Sequence, residues 1–236
     1  MGIARPIPPR YVTDIPTRAT PHEMSPYRRE GHAIYLRTVE YRLGPRVVGK
    51  RAYDAEGRIM QEIPFRDGHA HGRVYEFYDS GAVSCLEWYA QGLQHGTCYQ
   101  WDDDGRLLGK YVLSHGTGLD VWRHRHVNGR VYASEIRTFK RGHLHGFEWW
   151  LHGRRLSSET HFVDDKKHGI ERSWDIKGGL DKTYPRYWLR DERVSKRQYL
   201  AAARTDSSLP PFLERDNKPK RGLPKRARDI VDRHSG

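Results

Sequence analysis

Fourteen histidines in a chain of 236 residues raise metal chemistry first. His143 and His145 in HLHG, and His124 and His126 in RHRH, stand two apart, so in a strand each pair projects from one face and forms a two-ligand clip. Further ligands are not at hand: the histidines that precede glycine recur about 24 residues apart with no Cys, Asp or Glu recurring beside them. They read as structural residues of turns and rims. The run Asp102, Asp103, Asp104 before Gly105 opens like a calcium loop but lacks its later ligand spacing and closing Glu. Ser157, Ser158 and Glu159 precede His161 without a nucleophile elbow, and no phosphate-cradling or dinucleotide-binding glycine motif occurs. Cys85 and Cys98 lack metal or redox spacing and are expected as reduced thiols. The expectation is a chain with no catalytic residue, no cofactor, no bound metal and no small-molecule substrate.

The elements that carry these residues repeat. Gly57, Gly81, Gly105, Gly129 and Gly153 are each 24 apart, with Gly178 one position late. Gly44, Gly68, Gly92 and Gly116 keep the same step, with Gly142 two late. A third set is the His-Gly pair at Gly72, Gly96, Gly146 and Gly169, missing from the third unit, where Asp120 stands in its place. Large side chains keep time with the glycines in two rows, one through Phe65, Tyr89, Leu113, Phe139 and Phe162, the other through Tyr53, Phe77, Trp101 and Trp149. A fixed step of this length marks stacked supersecondary units.

Each unit reads as a strand (82–89), a glycine turn, a second strand (97–101) and a second glycine turn, because tight turns require positive φ, which glycine adopts without strain. A lone hairpin is marginal in water, so neighbouring units must share a core. Aromatics at 11% supply it in a chain only 36% hydrophobic. At about 25 cal/mol per Å² such rings contribute several kcal/mol per unit before entropy is subtracted. The fold class expected is an all-β repeat: an elongated antiparallel meander of about six 24-residue hairpins.

The pattern Y-x-x-x-G followed by G-x-x-H-G-x-x-x-x-[YFW] resembles the MORN repeat, in the longer bacterial variant found in a family of repeat antitoxins. The resemblance covers residues 33 to 190 and implies a single-layered sheet that binds a partner along one face, with toxin neutralisation one known use.

The domain reading is an extended N-terminal segment over 1–30, the repeat array over 31–190, a helical cap over 191–210 and a basic tail over 211–236. Ser195 is a helix N-cap, with Val194, Tyr199, Leu200 and Ala203 set to lie over the last hairpin and cap the sheet edge. A second short helix near Pro224 would carry Leu223, Ala227, Ile230 and Val231 on one face.

A protein partner is the leading expectation, with Trp88, Arg137 and Trp150 as contact residues because they alternate with the core rows. The competing partners are anionic lipid and nucleic acid. Of the net +12, residues 191–236 carry +5 (12 basic minus 7 acidic), as much as the 160 residues before them. Aromatics interleaved with Arg also suit stacking on bases, although their lock to the repeat favours a core role. No apolar run reaches the roughly 18 residues of a membrane span, and the N-terminus lacks a secretory core, so a cytoplasmic location is expected.

Overall fold

The computed structural model describes residues 10–24, 37–225 and 227–229. The chain folds as two compact units, 1–115 and 116–236. Both are antiparallel β-meanders, the all-β class expected.

In the first unit β1 (Thr20–Glu23) pairs with β2 (Arg37–Leu43), followed by β3 (Arg46–Tyr53) and β4 (Ile59–Arg66). Next come β5 (His69–Ala70), β6 (Gly72–Phe77), β7 (Val83–Ala90), β8 (Leu93–Gln94), β9 (Gly96–Trp101) and β10 (Leu107–Ser114). The second unit holds β11 (Thr117–Arg125), β12 (Val131–Lys140), β13 (His143–His152), β14 (Arg155–Val163), β15 (Lys166–Ser173), β16 (Arg186–Leu189) and β17 (Glu192–Val194), each paired with the next.

The glycine sets have distinct jobs. The first set closes four-residue turns: the N–H of Gly57, Gly81, Gly105, Gly129 and Gly178 donates to the carbonyl three residues back. Asp102 completes its turn by accepting the N–H of Arg106, so the acidic run is turn chemistry. In the second set Gly68, Gly92, Gly116 and Gly142 end two-residue turns in which both residues have positive φ, as at Gln91–Gly92 and Arg141–Gly142, whereas Gly44 opens its turn and is followed by Pro45. Asp164–Asp165 and Arg190–Asp191 make the same turn without glycine, because Asp tolerates this conformation. Strand pairing therefore continues to Val194, past the expected end of the array at residue 190.

The glycine of the His-Gly pair stands directly across the strand pair from a large side chain: Gly72 from Tyr89, Gly96 from Leu113, Gly146 from Phe162 and Gly169 from Trp188. The apparent gap in the third unit is a two-residue shift, since Gly118 (φ 149) takes this place opposite Phe139. Of the two rows, Tyr53, Phe77, Trp101 and Trp149 are the buried one, while Phe65, Tyr89, Phe139 and Phe162 are half-buried. The stacked rings are neighbours along one strand, Tyr75 on Phe77, Tyr99 on Trp101 and Phe147 on Trp149, rather than pairs from adjacent repeats.

Terminal segments cover one face of each sheet. In the first unit Tyr11 sets its ring edge-on to Tyr75 and Phe77, and Ile15 fills the space left by Gly49, where a Cβ would sit 2.4 Å from its side chain. Residues 10–24 of the N-terminal segment are thus docked. In the second unit Tyr199 of α1 (Lys196–Ala202), begun by a Ser195–Gln198 capping box, is fully buried against Ile170, Tyr187 and Leu209. Val194 and Ala203 pack with Tyr199 as expected, whereas Leu200 is exposed. Ala227 and Leu223 join the core around Val121, Ile136 and Trp149, so this stretch of the basic tail is packed. Ile230 and Val231 lie outside the described residues.

One repeat position explains where these segments dock. Three residues before the row side chain stand Leu86 and Ile136, both apolar, but also Glu62 and Glu159, both fully buried. Glu62 accepts from Arg51 Nε at 2.7 Å and from the Tyr11 hydroxyl of the N-terminal segment. Glu159 accepts from Arg172 at 2.5 Å and from Arg221 of the C-terminal segment. A buried carboxylate requires charged or hydrogen-bonding partners, and each terminal segment brings one.

Candidate partner-binding face

The second unit leaves one face of its sheet without a covering segment among the described residues. Cross-strand partners share a face, so the register lays out its side chains. One row runs Trp122, Glu135, Trp150, Ser158, Ser173 across β11 to β15. The next runs Asp120, Arg137, Glu148, Thr160, Glu171. Phe139, Phe162 and Trp188 flank these rows opposite their glycines.

Two cations of the face, Arg137 and Lys167, share one setting, while Arg186 stands across from Glu171 and Arg193 across from Trp188. Arg137 is gripped by Asp120, Nε to Oδ2 at 3.0 Å, and its guanidinium lies 5.9 Å from the Trp122 ring and 5.5 Å from Phe139. The Trp122 indole N–H donates to the same Asp120 carboxylate at 3.1 Å. Lys167 is held by Glu171 at 2.9 Å and lies 4.9 Å from the Trp188 ring, whose indole N–H donates to Glu171 at 2.9 Å. In each case one carboxylate orients both an indole and a cation, which combines ion pairing with cation–π attraction.

Between them lies a third set, Glu135, Glu148 and Trp150. Arg137, already held by Asp120, approaches Glu135 only to 3.6 Å. Trp150 is 46% exposed. Burial raises the Glu135 carboxyl to about 7; Arg137 opposes the shift, and the neighbouring Glu148 and Asp120 add to it. The folded carboxyl therefore holds a proton that the unfolded one releases near its ordinary 4.5, so stability falls as pH rises from about 4.5 to 7 and the deficit is complete above 7. Glu135→Gln removes that deficit: the thermal midpoint is expected to rise at pH 8, corresponding to about 1 kcal/mol after allowance for solvent screening, and to stay unchanged at pH 4. An equal shift at both pH values would refute the assignment.

The first unit handles its polar face differently. Glu87 accepts from the Tyr89 and Tyr111 hydroxyls at 3.1 and 2.8 Å, and Gln94 donates to Tyr111 at 3.0 Å. Burial, with Glu87 adding to it, pushes the Cys98 thiol up to about 12, and Cys85 and Cys98 are both buried free thiols.

Of the residues expected to make partner contacts, Arg137 and Trp150 are brought together on the second unit's open face. Trp88 belongs to the first unit, on the side its N-terminal segment covers, with Arg73 5.9 Å from its ring and that arginine paired to Asp14. The His143–His145 clip takes separate partners, His143 with Asp165 at 2.6 Å and His145 with Asp164 at 3.1 Å, while His124 and His126 both lie 6.3 Å from the Tyr132 ring. Among the described residues no three of His, Cys, Asp and Glu gather as metal ligands. Ser157 donates to the Trp150 carbonyl and His161 contacts the His168 carbonyl, so the two form no nucleophile–base pair. The repeat pattern marks Asp120 only as a gap and does not single out Glu148 and Glu171, although all three stand two residues after a glycine that faces the row side chain.

No helix among the described residues is long and apolar enough to cross a membrane. No family model and no curated protein matches the chain.

Proposed function

We propose that this chain is a non-catalytic repeat platform that binds a partner protein along the open sheet face of its 116–236 unit, in the manner of the antitoxin-like MORN-repeat proteins it resembles. The observation that carries this reading is the asymmetry of that sheet. One face is sealed by the chain's own C-terminal segment, and the other presents an exposed Trp150 among ordered charges and half-buried rings. Tryptophan and arginine dominate protein interfaces; Trp150 offers a large contact area at little entropy cost, and Arg137 is already ordered by Asp120.

The test is affinity capture from cells that produce the protein, comparing the native chain with Trp150→Ala, Arg137→Ala and Leu200→Ala. A defined protein is expected with the native chain and with the Leu200 variant, and lost with the other two. If that protein is toxic when produced alone and harmless when co-produced with this chain, the antitoxin reading follows. Capture indifferent to Trp150 and Arg137 removes the platform.

A second reading rests on a different place. A cavity of about 290 Å³ is lined by Arg154, Arg155, Lys220 and Arg221 with His152 and a single carboxylate, Asp175. Such a cluster suits an anionic lipid or nucleic-acid surface. Binding to DNA or to anionic vesicles that weakens steeply with salt would support it, and none at low salt would dismiss it.

A further inference from the structure

The open face repeats one local arrangement three times, and the middle copy differs. In the outer copies a carboxylate fixes an indole N–H and a cation together: Asp120 with Trp122 and Arg137, and Glu171 with Trp188 and Lys167. In the middle copy Glu135 and Glu148 supply two carboxylates beside Trp150, and Trp150 keeps its ring partly in water. Around Trp150 the carboxyl groups of Glu135, Glu148 and Asp120 outnumber the one cation beside them, Arg137, in a chain whose net charge is +12. An acidic, indole-bearing patch on a basic molecule complements a cation from outside.

We propose that this face recognises a basic segment of the partner protein, seating an arginine or lysine side chain against Glu135 and Glu148 with its charge over the Trp150 ring. The inference rests on the platform reading above and adds the partner's chemistry. Arg137 and Lys167 show how the fold treats such a group. Arg137 already reaches toward Glu135 from Asp120, so an incoming cation completes a pattern the sheet builds twice for itself. Guanidinium suits the place better than ammonium, because its planar fork can reach two carboxylates while its face lies on an indole. The elements packed around Glu135 add Asp120 from β11 and Glu148 from β13, both acidic, with Arg137 of its own strand as the opposing charge. Ionisation of Glu135 favours the bound cation, so affinity should rise between pH 6 and pH 8.

The experiment titrates the full chain at low ionic strength with a short alternating Gly-Arg peptide, and separately with the same peptide carrying citrulline for arginine, which keeps shape and loses charge. Because the chain as a whole repels a cationic peptide, binding reports a local site. Binding of the Gly-Arg peptide is expected, with none for the citrulline form. Glu135→Gln with Glu148→Gln, and separately Trp150→Ala, should each weaken it about tenfold or more. The exposed control Glu192→Gln with Glu214→Gln removes the same charge elsewhere and should leave it unchanged. Thermal unfolding of each variant checks that the sheet is intact. No binding at low salt, equal binding by all variants, or Trp150-dependent binding of an oligo-glutamate peptide or duplex DNA instead would each overturn the proposal. If the peptide fails while capture of a cellular protein still depends on Trp150, only the partner's chemistry falls and the platform stands.

Discussion

Glu159→Gln is expected to lower the unfolding free energy by about 3 kcal/mol or more, the cost of leaving a buried cation without its counter-charge. The carboxylate and Arg172 are 0% and 1% exposed, and a second guanidinium, Arg221, bonds to the same Glu159 oxygen. Glutamine keeps the size of the side chain and the oxygen that accepts the Trp149 indole N–H at 3.3 Å, but it removes the charge that holds two arginines. Water cannot replace it, since the C-terminal segment lies over the site through Asn217, which accepts from Arg172 Nε at 2.7 Å. The thermal midpoint should fall by roughly 6–12 °C for a chain of this length. Glu159→Leu combined with Arg172→Met should recover part of the loss, because the same repeat position is already apolar at Ile136 and a buried pair can be exchanged for hydrophobic residues at little cost, while Arg221 keeps Asp216 at 3.4 Å as its only carboxylate among the described residues. A single substitution costing under about 1 kcal/mol would show that the segment docks by its apolar residues alone.

Gly116→Ala should cost about 3 kcal/mol, and Gly44→Ala only about 1 kcal/mol, although both glycines sit in the same left-handed conformation. Their φ angles are 67° and 58°. The difference is space. A Cβ at Gly44 meets nothing within 4 Å, whereas at Gly116 it would lie 2.3 Å from the nitrogen and 2.9 Å from the Cα of Gly142. Those are backbone atoms of the turn after β12, and that turn is bonded in place by Gly142 N–H to the Gly116 carbonyl at 2.9 Å and Arg141 N–H to Thr117 Oγ1 at 3.0 Å. Alanine at 116 must push the turn away and break both bonds. Urea unfolding of the two variants measures the gap directly, and equal losses would mean that only the φ penalty matters.

The chain's hairpins were legible because their determinants are local. A glycine needed for positive φ, an Asp that accepts a backbone N–H of its own turn, and a strand of alternating character all lie within a few residues of one another, so the 24-residue step announced the meander and its turns, and the helix formers after Ser195 announced its cap. Asp164–Asp165 and Arg190–Asp191 escaped because Asp can stand in for glycine, which hid the last hairpins from a search for glycine alone.

The choice of face was decided by tertiary structure. Alternation separates the two sides of a strand but does not say which side a distant segment will cover, and here both sides carry aromatic rings. The half-buried row through Phe65, Tyr89, Phe139 and Phe162 and the buried row through Phe77, Trp101 and Trp149 look alike as sequence, and only the docking of Tyr11 and Tyr199 tells them apart. The same holds for charge: Glu62 and Glu159 become anchors, and Glu135 and Glu148 become neighbours of Trp150, through pairings set by strand register and by residues up to 62 positions away. Local backbone preference writes the repeat; long-range burial assigns each side of it a role.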